Sequence, residues 1–231
     1  MSALLKPKER RLDLARRNTP SDVDSQGSGY YNLIHRCAVG RDPPLTPQAM
    51  SKIVRHEKKF TGSADCEIVD DMYGDFFDAV APAVTELKLD SLGWGAAEGT
   101  TLAEGLPRFT NCRTLGLYSN PLGDAAGKAI SEAVGAMPSL QELGMDSCGF
   151  GEEAAASLAG AIQQSTTLTT VCLRGNDAIG DAGALALAEA IGGNTTLRKL
   201  ELFRCGLGED AKAALREAAS TRVDNPLKLL M

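Results

Sequence analysis

An apolar pattern recurs through the last two thirds of the chain at an almost constant step. In residues 168–176, LTTVCLRGN, apolar side chains occupy the first, fourth and sixth positions and asparagine the ninth. Five copies of this pattern are separated by steps of 28, 28, 28 and 29 residues, and their first positions are Val84, Cys112, Leu140, Leu168 and Leu197. All fifteen first, fourth and sixth positions are apolar or cysteine. Such a short structural unit, repeated at a fixed step, indicates a solenoid in which each unit packs on its neighbours.

The second half of each copy has the pattern of an amphipathic helix. Four copies place an acidic residue ahead of an alanine-rich stretch: Asp124, Glu152, Asp181 and Glu209. A carboxylate in the first turn of a helix is favoured by the partial positive charge there. Three copies then place apolar pairs four residues apart, on one helical face: Ile130/Val134, Leu158/Ile162 and Leu187/Ile191. Each copy therefore predicts one strand followed by one helix.

The ninth position carries the features that resemble a known family. It reads Leu92, Asn120, Cys148, Asn176 and Cys205. A buried asparagine here is expected to pair with backbone groups of the turn after the strand, because buried polar groups need partners. This alternation, the 28/29 step and the phrase at 176–197 resemble the ribonuclease-inhibitor-like subfamily of leucine-rich repeat proteins. That subfamily includes ribonuclease inhibitor, the sensor arrays of NOD-like receptors and the Ran GTPase-activating protein.

The resemblance covers residues 84–231 and implies a fold class. The expected fold is an α/β leucine-rich repeat solenoid: a short horseshoe with a parallel sheet on its concave face and helices on its convex face. An N-terminal extension precedes it. Folds of this kind host unrelated functions, so the fold does not identify the partner.

The chain divides into three expected regions. Residues 1–66 form a basic, partly disordered arm with a short helix near 47–60, which begins where Thr46-Pro47 supplies an N-cap and a first turn. Residues 67–83 form a capping helix that covers the open edge of the first repeat. Residues 84–231 hold five repeats and a truncated sixth strand, since Pro226, Leu229 and Met231 follow Leu197, Leu200 and Leu202 by 29 residues. We therefore expect a short, complete array.

Charge is distributed unevenly along the chain. Residues 1–66 hold 12 Lys/Arg and 7 Asp/Glu, whereas residues 67–231 hold 12 and 23. A basic arm on an acidic body is expected either to meet an acidic partner or to fold back on its own domain. The candidate partner-binding residues of the arm are Arg10, Arg11, Arg16, Arg17, Lys52, Arg55, Lys58 and Lys59. The alternatives are a solvated helix face for 52–59 and an organellar presequence for the first residues.

Cysteine and histidine usage favours a non-catalytic protein of a reducing, cytoplasmic compartment. The chain has six cysteines and no CxxC pair, and Cys112, Cys148 and Cys205 take apolar positions of the repeats. Both histidines, His35 and His56, precede the repeats, and neither is part of a nucleophile or metal motif. No apolar run approaches the roughly 18 residues of a membrane span. We predict no cofactor, no metal and no enzymatic activity.

The concave face is the predicted binding site. The third, fifth and seventh positions of each repeat point away from the leucines, onto that face. The candidate residues are Asp90, Gly116, Tyr118, Gly144, Asp146, Arg174 and Phe203, together with Arg204. Two strand glycines in register suggest close approach by another backbone or a flat group. Aromatic side chains beside arginines are typical of interface anchors.

Three functions are compatible with these features. The leading one is a protein–protein interaction scaffold, a structural or accessory subunit of a larger assembly that binds through the concave face and the basic arm. The second is a GTPase activator, for which resemblance to the Ran activator points to Arg174. The third is an actin-capping array like the C-terminal domain of tropomodulin. Protein partners are expected, rather than nucleic acid or a small-molecule substrate.

Overall fold

The computed structural model of the chain describes residues 42–56 and 63–231. Within these residues the structure contains seven α-helices and six strands. The helices are α1 (Pro47–His56), α2 (Ser63–Val80), α3 (Ala96–Gly105), α4 (Gly123–Gly135), α5 (Glu152–Gln164), α6 (Gly180–Gly193) and α7 (Glu209–Ser220). The strands are β1 (Glu86–Lys88), β2 (Thr114–Gly116), β3 (Glu142–Gly144), β4 (Thr170–Cys172), β5 (Lys199–Glu201) and β6 (Lys228–Leu230). Short 3₁₀ turns occupy Ala81–Ala83, Leu106–Arg108 and Asp177–Ile179.

All six strands form one parallel sheet in the order in which they occur in the chain. The register follows the repeat, because the fourth positions pair in a single row from Leu87 on β1 to Leu229 on β6. The predicted α/β solenoid is therefore confirmed. The predicted sixth strand is present as β6, which pairs with β5.

The spacing of the two layers gives the sheet its concave side. Paired strands lie about 4.8 Å apart, whereas packed helices need about 8–10 Å between their axes. Consecutive helices from α3 to α7 are in contact, so each repeat takes more room on the helical side. We use the term concave face for the sheet face that turns away from these helices.

The core lies between the sheet and the helices. The fourth and sixth strand positions are buried in every repeat, and so are the predicted helix pairs, from Ile130/Val134 to Leu187/Ile191. Small residues allow neighbouring helices to approach closely: a methyl group added to Gly127 would lie 2.7 Å from the Ala154 side chain. The alanine-rich helix sequences therefore reflect close helix–helix packing.

A buried asparagine ladder joins successive repeats. The Asn176 side-chain oxygen accepts hydrogen bonds from the Cys148 N–H (2.9 Å) and the Phe150 N–H (3.1 Å) of the preceding turn. Its amide nitrogen donates to the carbonyl oxygens of Met145 (2.9 Å) and Leu173 (2.7 Å). Asn120 makes the equivalent four bonds one repeat earlier. The predicted role of these asparagines is confirmed.

The acidic residues at the helix starts act across repeats. Asp124 Oδ1, in the first turn of α4, accepts hydrogen bonds from the backbone N–H groups of Gly151 (2.7 Å) and Ala154 (3.2 Å) at the start of α5. Asp181 on α6 accepts in the same way from the Gly208 N–H (2.6 Å) before α7. Each carboxylate therefore caps the next helix, where unpaired N–H groups need an acceptor.

The first two helices differ in detail from their predictions. α1 begins at Pro47 as expected and is described to His56, while residues 57–62 lie outside the described part. The capping helix begins at Ser63 rather than residue 67 and ends at Val80. Its Tyr73 and Phe77 side chains are buried. The Phe77 ring packs edge-on against the Phe109 ring, with 5.9 Å between the ring centroids. Only part of the helix's apolar set covers the array, because Ile68, Val69 and Met72 are exposed.

We expect Leu143→Ala to lower the free energy of unfolding by about 2–5 kcal/mol, because it leaves a cavity in the middle of the array. The Leu143 side chain is 1% exposed and sits on a central strand. Denaturant titration of the full chain measures the change. Leu185→Ala is the matched control, since Leu185 on α6 is exposed. An unchanged value for Leu143→Ala would contradict the repeat register.

Candidate partner-binding face

Two large aromatic side chains are exposed on the concave face. Tyr118 follows β2 and is 45% exposed, and Phe203 follows β5 and is 41% exposed. Both occupy the seventh position of their repeats. Three strand spacings separate them, which corresponds to about 15 Å. Aromatic groups left in solvent at equivalent places are suited to anchor a partner.

Carboxylates at the seventh position of two other repeats tie one strand end to the next. Asp90 Oδ1 accepts a hydrogen bond from the backbone N–H of Tyr118 (3.2 Å), and Asp146 Oδ1 accepts one from the backbone N–H of Arg174 (2.8 Å). Both aspartates occupy the seventh position. They therefore hold the following strand end in place, and the Asp146 side chain is only 18% exposed. This positions the backbone that carries Tyr118 and Arg174.

Arg174 is held in an ionic network. Its guanidinium donates to Asp146 Oδ2 through Nε (3.2 Å) and Nη2 (2.8 Å), and Nε lies 3.2 Å from Glu201 Oε2. Glu201 also pairs with Lys199. The hydrogen bond from Lys199 lowers the pKa of the buried Glu201 carboxyl, and the bond to Asp146 raises the pKa of Arg174. These contacts link the Arg174 guanidinium to Asp146 after β3 and to Glu201 on β5.

The two strand glycines, Gly116 and Gly144, differ in whether the surrounding structure leaves room for a side chain. A methyl group added to Gly116 would lie 2.8 Å from Asp90 Oδ1, so the glycine makes room for that carboxylate. A methyl group added to Gly144 would meet only backbone, with Leu115 O at 3.9 Å and the Gly116 Cα at 4.0 Å. Packing within the protein therefore requires glycine at 116 but not at 144. Gly144 leaves bare backbone at the middle of the concave face.

Arg204 has an unfavourable backbone conformation. The eighth position is left-handed in every repeat, with φ of 53° at Ser91, 57° at Ser119, 52° at Ser147, 72° at Gly175 and 56° at Arg204. Left-handed backbone disfavours residues that carry a Cβ, because the Cβ lies too close to a carbonyl oxygen. Arg204 is exposed, and within the described residues its guanidinium makes no hydrogen bond or ion pair. The fold places an arginine beside Phe203 at a cost in stability.

The structure describes only two of the predicted arm residues, Lys52 and Arg55. Arg10, Arg11, Arg16, Arg17, Lys58 and Lys59 lie outside the described residues. Lys52 is exposed on α1. Arg55 is also exposed but pairs with Asp70 of α2, with 2.8 Å between Nη2 and Oδ2. Hydrogen bonds from Ser51 and Arg55 lower the pKa of Asp70. Arg55 therefore connects α1 to α2, a role that the charge pattern alone does not reveal.

Reactive groups are few on the described surface. Among residues 42–56 and 63–231, no cluster of three or more His, Cys, Asp or Glu side chains could hold a metal ion. Cys148 and Cys205 are buried and donate to the carbonyl oxygens of Leu117 (3.3 Å) and Leu173 (3.1 Å). Burial raises the pKa of Cys148 to about 12 and that of Cys205 to about 11. These thiols are packing groups rather than nucleophiles.

Sequence reasoning missed two features of this face. One is the contact between Glu201 and Arg174, which becomes evident only when β4 and β5 are aligned. The other is the backbone strain at Arg204. Its signal is present in the sequence, because the eighth position reads Ser, Ser, Ser, Gly and Arg through the five repeats.

The fold and this face define a leucine-rich repeat array. A sequence profile described as Leucine Rich repeat matches residues 164–188 and 193–210. A comparison with curated protein sequences gives no match. In the described part of the chain, no helix is both long and apolar enough to cross a membrane.

Two solved structures illustrate the fold that this chain shares with known proteins. One is described as leiomodin-1 actin-binding site 2, with a TM-score of 0.55 and 19% identity over 66% of this chain and 90% of that one. The other is the tropomodulin C-terminal domain from Caenorhabditis elegans, with a TM-score of 0.53 and 14% identity over 64% of this chain and 92% of that one. At these identities the likeness concerns the fold. The comparisons do not confirm that this chain belongs to the ribonuclease-inhibitor-like subfamily.

We expect Arg204→Gly to raise the free energy of unfolding by about 0.5–1 kcal/mol, because relief of the left-handed strain exceeds the added chain entropy. Thermal or denaturant unfolding of the full chain measures it. Arg204→Ala, which keeps a Cβ in the same backbone conformation, is the matched control and is not expected to stabilise. A loss of stability on Arg204→Gly would show that the guanidinium itself supports the fold.

We expect Glu201→Gln to flatten the pH dependence of stability in the acid range. A carboxyl whose pKa is lowered by folding stabilises the protein above the unfolded-state value of about 4.3, and this contribution is lost as the pH falls through the lower folded value. Unfolding midpoints between pH 7 and pH 3 test this. The control is Glu132→Gln, at an exposed position of α4. Identical pH profiles for Glu201→Gln and the wild type would contradict the ionic network.

Proposed function

We propose that this chain is a non-catalytic protein–protein interaction module, which serves as a structural or accessory subunit of a larger assembly. It binds its partner on the concave face. The observation that carries the proposal is the pair of exposed aromatic side chains, Tyr118 and Phe203, on either side of a positioned charge network. Interfaces concentrate their binding energy in such aromatic and arginine groups.

The middle of the face supports a close fit. Between the aromatic residues lie the bare backbone at Gly144 and the side chains of Asp146 and Arg174, which pair with each other. A partner that rests on Gly144 meets rigid groups, so few side chains lose freedom when it binds. At one border, Phe203 and the exposed Arg204 suit an acidic group next to an apolar side chain. Arg204 presents its exposed guanidinium from a strained backbone position, which supports a role in recognition.

The basic arm is the second proposed contact. Arg10, Arg11, Arg16, Arg17, Lys52, Lys58 and Lys59 would add long-range attraction to an acidic partner. Arg55 contributes less, because it already pairs with Asp70. The free buried cysteines of the repeats support a reducing, cytoplasmic compartment.

Actin binding is the second candidate function. It is supported by the fold shared with a domain described as an actin-binding site of leiomodin-1 and with the tropomodulin C-terminal domain. GTPase activation through Arg174 has less support, because that guanidinium is engaged by Asp146 and Glu201 rather than poised to enter another active site. The 28/29 step and the Asn/Cys alternation favour the ribonuclease-inhibitor-like subfamily within the leucine-rich repeats.

We expect Tyr118→Ala and Gly144→Val to weaken partner binding by at least about tenfold while leaving the free energy of unfolding within about 0.5 kcal/mol of the wild-type value. The partner is first captured from native lysate by the full-length chain and identified by mass spectrometry. Its affinity for the purified variants is then measured by calorimetry. Leu185→Ala, on the helical side, is the matched control. Wild-type affinity in both concave-face variants would exclude the concave face as the site.

Co-sedimentation with filamentous actin separates the two candidate functions. Binding to actin that depends on Tyr118 would favour the actin-regulating alternative. Capture of a different partner with the same dependence would favour the scaffold. The same capture with Arg10, Arg11, Arg16 and Arg17 changed to glutamine tests the contribution of the arm, and unaltered affinity would remove the arm from the interface.

A further inference from the structure

Helix α2 has three distinct faces. One face is buried against the first repeat through Tyr73 and Phe77. Helical spacing places a second, apolar face along Ile68, Val69 and Met72, which are 55%, 40% and 64% exposed. Three large apolar side chains on two turns of one helix form a contiguous exposed patch. Such patches usually mark an interaction site.

The third face of α2 is acidic. The helix carries six acidic residues and no basic one: Asp65, Glu67, Asp70, Asp71, Asp75 and Asp78. Asp71 lies three positions from Ile68 and Asp75 lies three positions from Met72, so both border the apolar patch. Beside them, α1 and α2 border an open groove of about 430 Å³, lined in part by Ser51, Asp71 and Asp75. The surface therefore suits a segment that combines apolar side chains with positive charge.

A segment of this chain has that composition. Residues 30–41, YYNLIHRCAVGR, contain two arginines, no acidic residue and five large apolar side chains. They lie outside the described residues and lead directly into residue 42. The chain after them is held against α2, because the Tyr73 hydroxyl donates to the Leu45 carbonyl oxygen at 2.7 Å. Twelve extended residues reach about 40 Å, whereas the 18-residue helix α2 is about 27 Å long.

We propose that residues 30–41 dock on the exposed apolar and acidic faces of α2 in the full-length protein. Tyr30, Tyr31, Leu33 and Ile34 cover Ile68, Val69 and Met72, and Arg36 pairs with Asp71 or Asp75. The linkage through residues 42–46 gives the segment a high effective concentration, which favours it over a free basic peptide. Docking fixes the base of the arm on α2.

Limited trypsin digestion of the full-length chain tests this docking. Cleavage after Arg36, followed by mass spectrometry, is compared with cleavage after Arg10 and Arg16 in the same molecules. We expect Arg36 to be cut at least about tenfold more slowly, because cleavage requires the undocked state. The double variant Ile68→Asp/Met72→Asp is expected to remove this difference. Both side chains are more than half exposed, so the variant should fold, and its unfolding midpoint checks that it does.

Two controls separate the proposal from its alternatives. Leu185→Asp introduces a carboxylate at a similarly exposed apolar position on α6 and is expected to keep Arg36 protected. Asp71→Asn/Asp75→Asn is expected to reduce the protection and its sensitivity to salt. Equal cleavage rates in the wild type, or protection that persists in the double variant, would overturn the proposal. Protection that grows with protein concentration would assign the face to a second copy instead.

Discussion

The structure depends on the backbone hydrogen bonds that each repeat obtains from the next. The turn after a strand leaves buried N–H and C=O groups that cannot pair within the repeat itself, and an unpaired buried group is destabilising. Asn120 and Asn176 each satisfy four of them. Two are carbonyl oxygens, one in the asparagine's own repeat and one in the preceding repeat, and two are N–H groups of the preceding turn. No repeat is therefore complete alone, and the order of the array follows from the need for a neighbour.

The same dependence on neighbours shapes the concave face. Asp90 and Asp146 accept hydrogen bonds from the backbone of the following strand end, and Glu201 receives side chains from two repeats. These acids lie near the surface, but most of their oxygens already have partners. The groups that this face exposes are the aromatic rings of Tyr118 and Phe203, the backbone at Gly144 and the guanidinium of Arg204. Their exposure is the basis for the proposed binding site.

The apolar helix faces are buried to different extents in the repeats and in the N-terminal helix α2. Within the array, an apolar helix face is covered by the sheet and by adjacent helices, so the predicted pairs from Ile130/Val134 to Leu187/Ile191 are all buried. At the N-terminal edge, α2 has a neighbouring repeat on one side only. Tyr73 and Phe77 face the array, whereas Ile68 and Met72 face solvent in the described structure. An apolar pattern therefore indicates burial reliably only where the neighbouring element is known.

The sequence by itself determined the solenoid, the strand register and the asparagine ladder, because a 28/29-residue repeat has one way to align its leucines into a parallel sheet. It also placed Tyr118, Phe203 and the two glycines on the concave face, since side chains alternate along a strand. Only the tertiary structure decided which of these groups are available. Gly116 is needed by Asp90 whereas Gly144 is open, Arg174 is paired whereas Arg204 is strained and unpaired among the described residues, and part of the apolar set of α2 is exposed. The reason is that pairing, strain and exposure depend on contacts between repeats, and the pattern of a single repeat does not contain them.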